Sequence, residues 1–297
     1  MFSVVIPLYN KEHQIRRTLE SVLSQTFENF EVVIVNDGST DKSVEVVSEF
    51  KDKRIRLINK PNGGVSSARN MGIQEAHFEW IAFLDADDLW KENKLEKVAD
   101  VVKDNPDVCW MVSGYQTIKG AKIADHSYAH NGFLDDALDA LGNKLSIQTS
   151  TVVLRKKYFI ADEKLYFPLG INNSEDREVW YRLIFRFPRL YYIQEVLSYY
   201  IIDETGGSLN NGTVGNFSFL KLKHRLSNDF DLLTSERKQK FLSFIDKFNN
   251  TACWRIWSNI GWRSDFNGFV SNIDEKIMKL FSNYPAFIRL VVFKIRR

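Results

Sequence analysis

Cysteine is scarce in this chain: only Cys109 and Cys253 occur among 297 residues. They stand far apart and without a Cys-x-x-Cys neighbour, so neither a disulfide framework nor a zinc site is indicated, and a reducing compartment fits. No charge sign dominates either. Forty Lys and Arg against 38 Asp and Glu leave a formal net charge of +2, which speaks against a nucleic-acid-binding polycation and a disordered acidic chain. No apolar run is long enough to span a bilayer, and the apolar start at residues 2–7 is too short for a signal-peptide core. A cytoplasmic location is the expectation. Also lacking are a Gly-x-x-x-x-Gly-Lys-Ser/Thr phosphate loop, a Gly-x-Gly-x-x-Gly opening a helix, a Gly-x-Ser-x-Gly elbow and a His-Glu-x-x-His pair. The five histidines are scattered and read as surface or structural residues, and no internal repeat or low-complexity tract occurs.

What is present is a regular alternation. From residue 2 to about 118, short runs rich in β-branched residues alternate with helix-period segments, the pattern of βαβ units around a mainly parallel sheet. Strands are predicted at 2–7, 31–36, 55–59, 80–85 and 108–113. Ile15, Leu19, Val22 and Leu23 recur at helical spacing between Glu12 and Gln25. Further helices are predicted after Asp41, with Ser39 or Thr40 as the cap, and over 65–76 and 91–104. Residues 119–174 look irregular, with a short helix at 133–141 and a strand at 147–154; a helix over about 175–186 and an aromatic strand over 190–200 follow. After the turn-rich stretch from Asp203 to Gly215 the pattern turns helical, with Phe241, Leu242, Ile245 and Phe248 on one face. This places a domain boundary near residue 205: an α/β domain over 1–204 and a C-terminal helical region over 205–297. Trp254, Trp257 and Trp262 read as core rather than as a carbohydrate platform.

In open α/β sheets ligands gather at the carboxyl ends of the strands, beside helix N-termini that favour anions. Asp85, Asp87 and Asp88 put three negative charges at one such end. That is costly without a cation, and hard oxygen ligands suit Mg²⁺ or Mn²⁺; the alternative is a solvated acidic turn. Asp37 ends a second strand, where its carboxylate can accept the ring N–H of a pyrimidine or simply shape an Asp-Gly turn. Arg69 follows a Gly-Gly loop and reads either as a fork for a base or phosphate or as a surface helix cation. Tyr9 either stacks on a base or fills the core edge. Glu175 and Asp176 open a helix, where the dipole favours acids whatever their role. The chemistry such a carboxylate can serve is removal of a proton from an acceptor hydroxyl as that oxygen attacks a sugar carbon, while a metal on the diphosphate stabilises the departing charge.

Four segments in order, Ser3-Val4-Val5-Ile6-Pro7-Leu8-Tyr9-Asn10, Val35-Asn36-Asp37-Gly38-Ser39-Thr40-Asp41, Asn62-Gly63-Gly64-Val65-Ser66-Ser67-Ala68-Arg69-Asn70 and Phe83-Leu84-Asp85-Ala86-Asp87-Asp88, resemble the family 2 glycosyltransferases of the GT-A fold. A fifth, Ser174 through Leu183, resembles the family's Glu-Asp helix. The resemblance is strong over roughly the first 115 residues, reaches about residue 200, and leaves the C-terminal third uncovered. It implies a GT-A domain of α/β class: a mixed, mainly parallel sheet flanked by helices, with a Rossmann-like nucleotide-sugar half at 1–115 and an acceptor half at 116–204. The implied activity is inverting transfer from a nucleotide diphosphate sugar, with UDP as the default nucleotide, to a sugar or lipid-linked saccharide acceptor in surface polysaccharide or glycolipid assembly. By the same resemblance Tyr9, Asp37, Asn62 and Arg69 hold the base and Asp85 the ribose, with Pro7 and Ala86 also in the donor site. Asp87 holds Mn²⁺ or Mg²⁺, Asp176 is the base and Glu175 orients the acceptor.

Two departures qualify the comparison. The Gln-x-x-Arg-Trp motif and membrane helices of processive synthases are missing, which implies transfer of one or a few sugars. Tyr199-Tyr200-Ile201-Ile202 leads into Asp203-Glu204-Thr205, where the family often carries a basic or His-containing segment, so a second protein ligand for the metal has no counterpart. Two rival classes remain at this level: a sugar nucleotidyltransferase, whose Gly-rich N-terminal phosphate loop is absent, and a non-catalytic nucleotide-sugar-binding protein, which would be indifferent to Asp176→Asn. Residues 285–297 carry four cations and no acid among bulky apolar residues. They read as a terminal helix that either lies on an anionic membrane surface, at its inner face, or packs on its own domain.

Overall fold

Runs of β-branched residues that are continuous rather than alternating belong to strands covered on both faces. Phe2–Leu8 (β1) and Phe30–Asn36 (β2) are of this kind and are buried at every position. The computed structural model describes residues 1–171, 174–202 and 218–260. The other strands are Ile55–Asn59 (β3), Trp80–Phe83 (β4), Leu89–Trp90 (β5), Trp110–Lys119 (β6), Lys122–Asp125 (β7), Gly132–Leu134 (β8), Val153–Arg155 (β9) and Leu190–Ile201 (β10). Among the described residues they form one ten-stranded sheet with the order β3-β2-β1-β4-β9-β6-β10-β5, β7 pairing with β6 and β8 with β10. The pairs β1–β2, β1–β4, β2–β3 and β6–β10 are parallel, and the remaining pairings are antiparallel. The sheet is thus mixed, with its parallel first half closed off by the short reversed strand β9.

The helices are Ile15–Leu23 (α1), Ser43–Ser48 (α2), Val65–Glu75 (α3), Lys94–Asp104 (α4), Ala137–Gly142 (α5), Lys156–Ala161 (α6), Glu175–Arg186 (α7), Ser218–Arg225 (α8) and Ser235–Ile260 (α9). Ile15, Leu19 and Val22 of α1 and Leu95 and Val98 of α4 join Val4, Ile6, Val32, Ile34 and Ala82 in one apolar core. Helix α3 serves the other face, where Ala68 packs with Val33 and Val35. It comes unusually close to β1: a Cβ on Gly72 would lie 2.4 Å from Cγ1 of Val5, so only hydrogen fits there.

The chain divides into two compact units, Met1–Ile171 with Glu175–Asn210, and Asn172–Ser174 with Asn211–Arg297. In the second, the helical spacing read from sequence appears in α9, where Phe241 and Ile245 are buried, along with Leu222 of α8 and Leu226 just after it. Phe230, in a 3₁₀ turn over Ser227–Leu232, meets Phe241 edge-on at 5.9 Å. No described helix is long and apolar enough to cross a membrane. The boundary expected near 205, Trp262 and the basic segment 285–297 lie outside the described residues, as do the side chains of Trp254 and Trp257.

Several expectations need correction. The stretch 147–154 is not one strand: Thr149–Thr151 is a 3₁₀ turn and only Val153–Arg155 pairs in the sheet. The stretch 133–141 is a short strand followed by α5, whose first turn is capped by Asp136 accepting from the Leu138 N–H at 3.0 Å. Helix α2 starts at Ser43 without a cap from Ser39 or Thr40; Asp41 instead accepts from the Ser43 N–H at 2.9 Å. Strand β4 stops at Phe83, which leaves Asp85 in the loop beyond it.

Candidate active site

The carboxyl ends of β1, β2 and β4 lie side by side because these strands are parallel neighbours in register, so their loops share one rim. The first two loops are tied together. The Asn10 N–H donates to Ser39 Oγ at 3.1 Å and Asn10 Oδ1 accepts from the Thr40 N–H at 2.8 Å. The Lys11 N–H donates to Ser43 Oγ at 2.7 Å, that of Glu12 to Asp41 at 3.0 Å, and that of Lys42 to Glu12 at 2.9 Å. Asn10 takes a left-handed backbone, φ 50°, to make this seam. Tyr9 stands on it with 47% of its surface exposed, while Pro7, one step inside, is buried in β1 opposite Val35.

Asp37 is buried and almost fully engaged. Its two oxygens accept from the N–H groups of Gly63 at 2.9 Å and Gly64 at 2.8 Å, and Lys60 pairs with it. Asn62 Nδ2 donates to the Asp37 carbonyl at 2.9 Å. The Asp37-Gly38 turn therefore holds the Asn62-Gly63-Gly64 loop in place, and Gly38 is required there: it has φ +74°, and a Cβ would come within 2.9 Å of the Asn62 nitrogen.

Arg69 is neither a surface cation nor an open fork. Position 69 shares the inward face of α3 with Gly72 and Ile73, and the guanidinium lies on the site's floor, 5.1 Å above the Phe167 ring. One nitrogen donates to Asp85 at 2.7 Å and the other to Glu175 at 3.0 Å. Burial opposes its charge, but these two carboxylates outweigh burial and raise its pKa. Asp85 and Glu175 themselves are held above the usual carboxylate range, first by burial and then by their negative neighbours Asp87 and Asp176, against the pull of Arg69. Among the described residues Nε of Arg69 has no hydrogen-bond partner.

The three aspartates after β4 separate into different environments. Asp88 is fully buried, accepting from Ser150 Oγ and Gln148 Nε2, both at 2.6 Å. Burial and the charges of Asp87 and Asp85 push its pKa well up, so it is structural rather than part of an open anionic cluster. Ala86 is buried and its carbonyl accepts from Thr18 Oγ1 at 3.0 Å. Asp87 remains at the surface of the site and pairs with Lys11 Nζ at 2.6 Å. Across the site Asp176, in the first turn of α7, accepts from Thr149 Oγ1 at 3.0 Å and from the Arg177 N–H at 2.7 Å. Tyr200 has its pKa raised to about 12, first by burial and then by the negative charges of Asp88, Asp87, Asp85 and Asp176.

Among the described residues no three Asp, Glu, His or Cys side chains form a metal-binding cluster. Such a cluster is not needed for Mg²⁺ or Mn²⁺ on a nucleotide, which commonly take one or two carboxylates and fill the remaining positions with phosphate and water. Asp87, with Asp85 two residues before it, fits that donor set, and the mutual repulsion of these carboxylates is what a cation would relieve.

The site thus joins Asp85, Arg69 and Glu175 directly, sets Asp87 against Lys11 and Asp176 against Thr149, and keeps Asp37 and Asn62 with their own loop. Lys11, Lys60, Thr149, Ser150 and Tyr200 were not singled out from sequence. Lys11 and Lys60 had a signal, since each stands immediately after a strand's carboxyl-end loop residue or beside the Gly-Gly loop. Thr149 and Ser150 had none: their partners lie 27 and 62 residues away.

The sequence matches the profile of glycosyl transferase family 2 over residues 3–162. It is 32% identical to an uncharacterized glycosyltransferase of Rickettsia typhi, covering 100% of this chain and 92% of that one. An uncharacterized glycosyltransferase of Rickettsia bellii is 36% identical over 60% of this chain, yet the match takes in only 25% of that protein's length. The E. coli UDP-Glc:alpha-D-GlcNAc-diphosphoundecaprenol beta-1,3-glucosyltransferase WfgD is 38% identical over 41% of this chain and 49% of its own. Among solved structures, S. aureus TarS 1–349 in complex with UDP-GlcNAc superposes with a TM-score of 0.73 at 21% identity, covering 97% of this chain and 80% of that one.

Proposed function

The chain belongs to glycosyl transferase family 2, and on that premise we propose that it transfers one sugar from a UDP-sugar to an acceptor hydroxyl, with inversion at the anomeric carbon. UDP is supported by the UDP-Glc in the name of the E. coli relative and by the UDP-GlcNAc held by S. aureus TarS. The proposed acceptor is a lipid-linked saccharide, the class named for the same E. coli enzyme, which puts the reaction in polysaccharide or glycolipid assembly.

One observation carries the reading: Arg69 ties Asp85, at the donor side's strand end, to Glu175, the immediate neighbour of Asp176. A donor lying on Asp85 is thereby brought up to the first turn of α7. In this scheme Tyr9 offers its exposed ring to the base, and Asp37 shapes the Asn62-Gly63-Gly64 loop beneath it. Asp176 takes the acceptor's proton as the hydroxyl oxygen bonds to the anomeric carbon and the bond from that carbon to the diphosphate oxygen breaks. Thr149 donates to one Asp176 oxygen and the Arg177 N–H to the other, which fixes the carboxylate's orientation. Glu175, held by Arg69, acts on the acceptor by positioning Asp176. Asp87 is the residue proposed to hold Mn²⁺ or Mg²⁺, which when bound supplies positive charge to the leaving diphosphate.

The test is isothermal titration of UDP into wild type and Asp87→Ala, with and without Mn²⁺, followed by turnover assays of Asp176→Asn. The reading expects Mn²⁺-dependent binding that Asp87→Ala loses, and a fall in kcat of about a hundredfold or more for Asp176→Asn with UDP affinity unchanged. Failure of UDP to bind under any condition would discard the nucleotide; full turnover by Asp176→Asn would discard the base.

A further inference from the structure

The cation paired with Asp87 belongs to the chain itself. Lys11 has little backbone freedom: its N–H is held by Ser43 Oγ, and its carbonyl accepts from the N–H groups of Gln14 and Ile15 at the entry to α1. Only the side chain can move, and the structure places its ammonium 2.6 Å from Asp87 Oδ2, with both side chains about one-fifth exposed. The pairing answers an electrostatic need. Asp87 lies in one loop with the carboxylates of Asp85 and Asp88, and Arg69 is already committed to Asp85 and Glu175. Among the described residues Lys11 is the cation paired with Asp87.

A divalent ion on Asp87 and the Lys11 ammonium on the same carboxylate repel one another. The Lys11 stem is flexible, and a lysine ammonium is a mobile point charge well suited to phosphate. We propose that Lys11 exchanges partners, holding Asp87 in the free protein and moving to the donor's diphosphate when nucleotide and metal bind together. This rests on the donor-site reading given above. Its consequence is coupling. Metal alone must break the Lys11–Asp87 pair without compensation, whereas metal with a nucleoside diphosphate gives the released ammonium a new anion, so each ligand strengthens the other.

The experiment measures Mn²⁺ affinity by electron paramagnetic resonance of the free ion, with and without saturating UDP, for wild type, Lys11→Met and Lys11→Arg. The expected result is that Lys11→Met binds Mn²⁺ alone more tightly than wild type and binds Mn²⁺ with UDP no better. The factor by which UDP strengthens Mn²⁺ binding then falls by about tenfold. Lys11→Arg, which keeps the charge, retains most of the coupling. A lysine with a purely structural role would not tighten metal binding when removed. Coupling unchanged in Lys11→Met overturns the exchange. Absence of Mn²⁺-dependent UDP binding in wild type overturns the donor-site reading instead, so the two failures are distinct.

Discussion

Lys94 shows most sharply what a single buried residue can demand. It is completely inaccessible, and among the described residues its ammonium nitrogen reaches only hydroxyls, Ser198 Oγ at 3.1 Å and Ser113 Oγ at 3.4 Å, with the Trp90 ring 5.1 Å away. Burial lowers its pKa from 10.5 to about 7. Between those two values the unfolded chain binds a proton that the folded chain does not, so this group's contribution to stability rises with pH from about 7 towards 10.5 and is at its least favourable below 7. Lys94→Met, close in volume and apolar, is expected to raise stability at neutral pH by about 1–3 kcal/mol and to flatten its rise across that window. Urea denaturation at pH 6.5, 8 and 9.5 checks both effects; an unchanged slope would mean that Lys94 stays charged when folded.

Among the elements, α3 carries the closest constraint, because it must pass β1 at a distance set by hydrogen on Gly72. Gly72→Ala is expected to destabilise the protein by about 1–3 kcal/mol despite alanine's better helix propensity, since Val5 leaves no room for the methyl. A melting temperature at or above wild type would show that α3 can lift off the strand without loss. The same helix explains how much of the site the sequence disclosed. Ser66, Arg69 and Ile73 fall three and four residues apart on one buried face, so the inward aim of Arg69 is encoded in local spacing, while its carboxylate partners are not. The strands β1, β2 and β4 were legible because largely apolar runs report burial on both faces, and the half-buried edge strand β3 because Ile55, Leu57 and Ile58 give it a strand-forming composition. Strand β5 was not: Leu89–Trp90 is a strand only through its pairing with Tyr199 and Ser198, more than a hundred residues on. The Thr149–Thr151 turn misled for a related reason, since its β-branched threonines suit a strand while Thr151 Oγ1 bonds back to the Gln148 carbonyl at 2.6 Å. Asp88 looked like a partner of Asp85 and Asp87 because sequence shows adjacency and not the inward turn that Ser150 and Gln148 reward.

At the scale of the whole molecule, the earlier and later halves of the α/β unit are continuous through the sheet and pinned a second time by Arg69. Arg69→Met leaves Glu175 and Asp85 without their counter-charge, and the expected cost is about 3–5 kcal/mol, read by urea denaturation. Because Glu175 is the more buried carboxylate, Arg69→Met combined with Glu175→Gln is expected to cost less than the sum of the two single changes, with a coupling of about 1–3 kcal/mol. Strict additivity would mean the two halves are held by the sheet alone. The seam between residues 9–12 and 39–43 has a different kind of consequence, one for anyone redesigning this protein. Its bonds alternate direction between backbone and side chain, so neither loop can be grafted, shortened or randomised without its counterpart. The β6–β7 hairpin carries a lighter obligation, since the side chains of its second strand, Lys122–Asp125, lie open to solvent. A mutagenesis library should therefore treat the first two loops as one inherited block and spend its diversity on that hairpin.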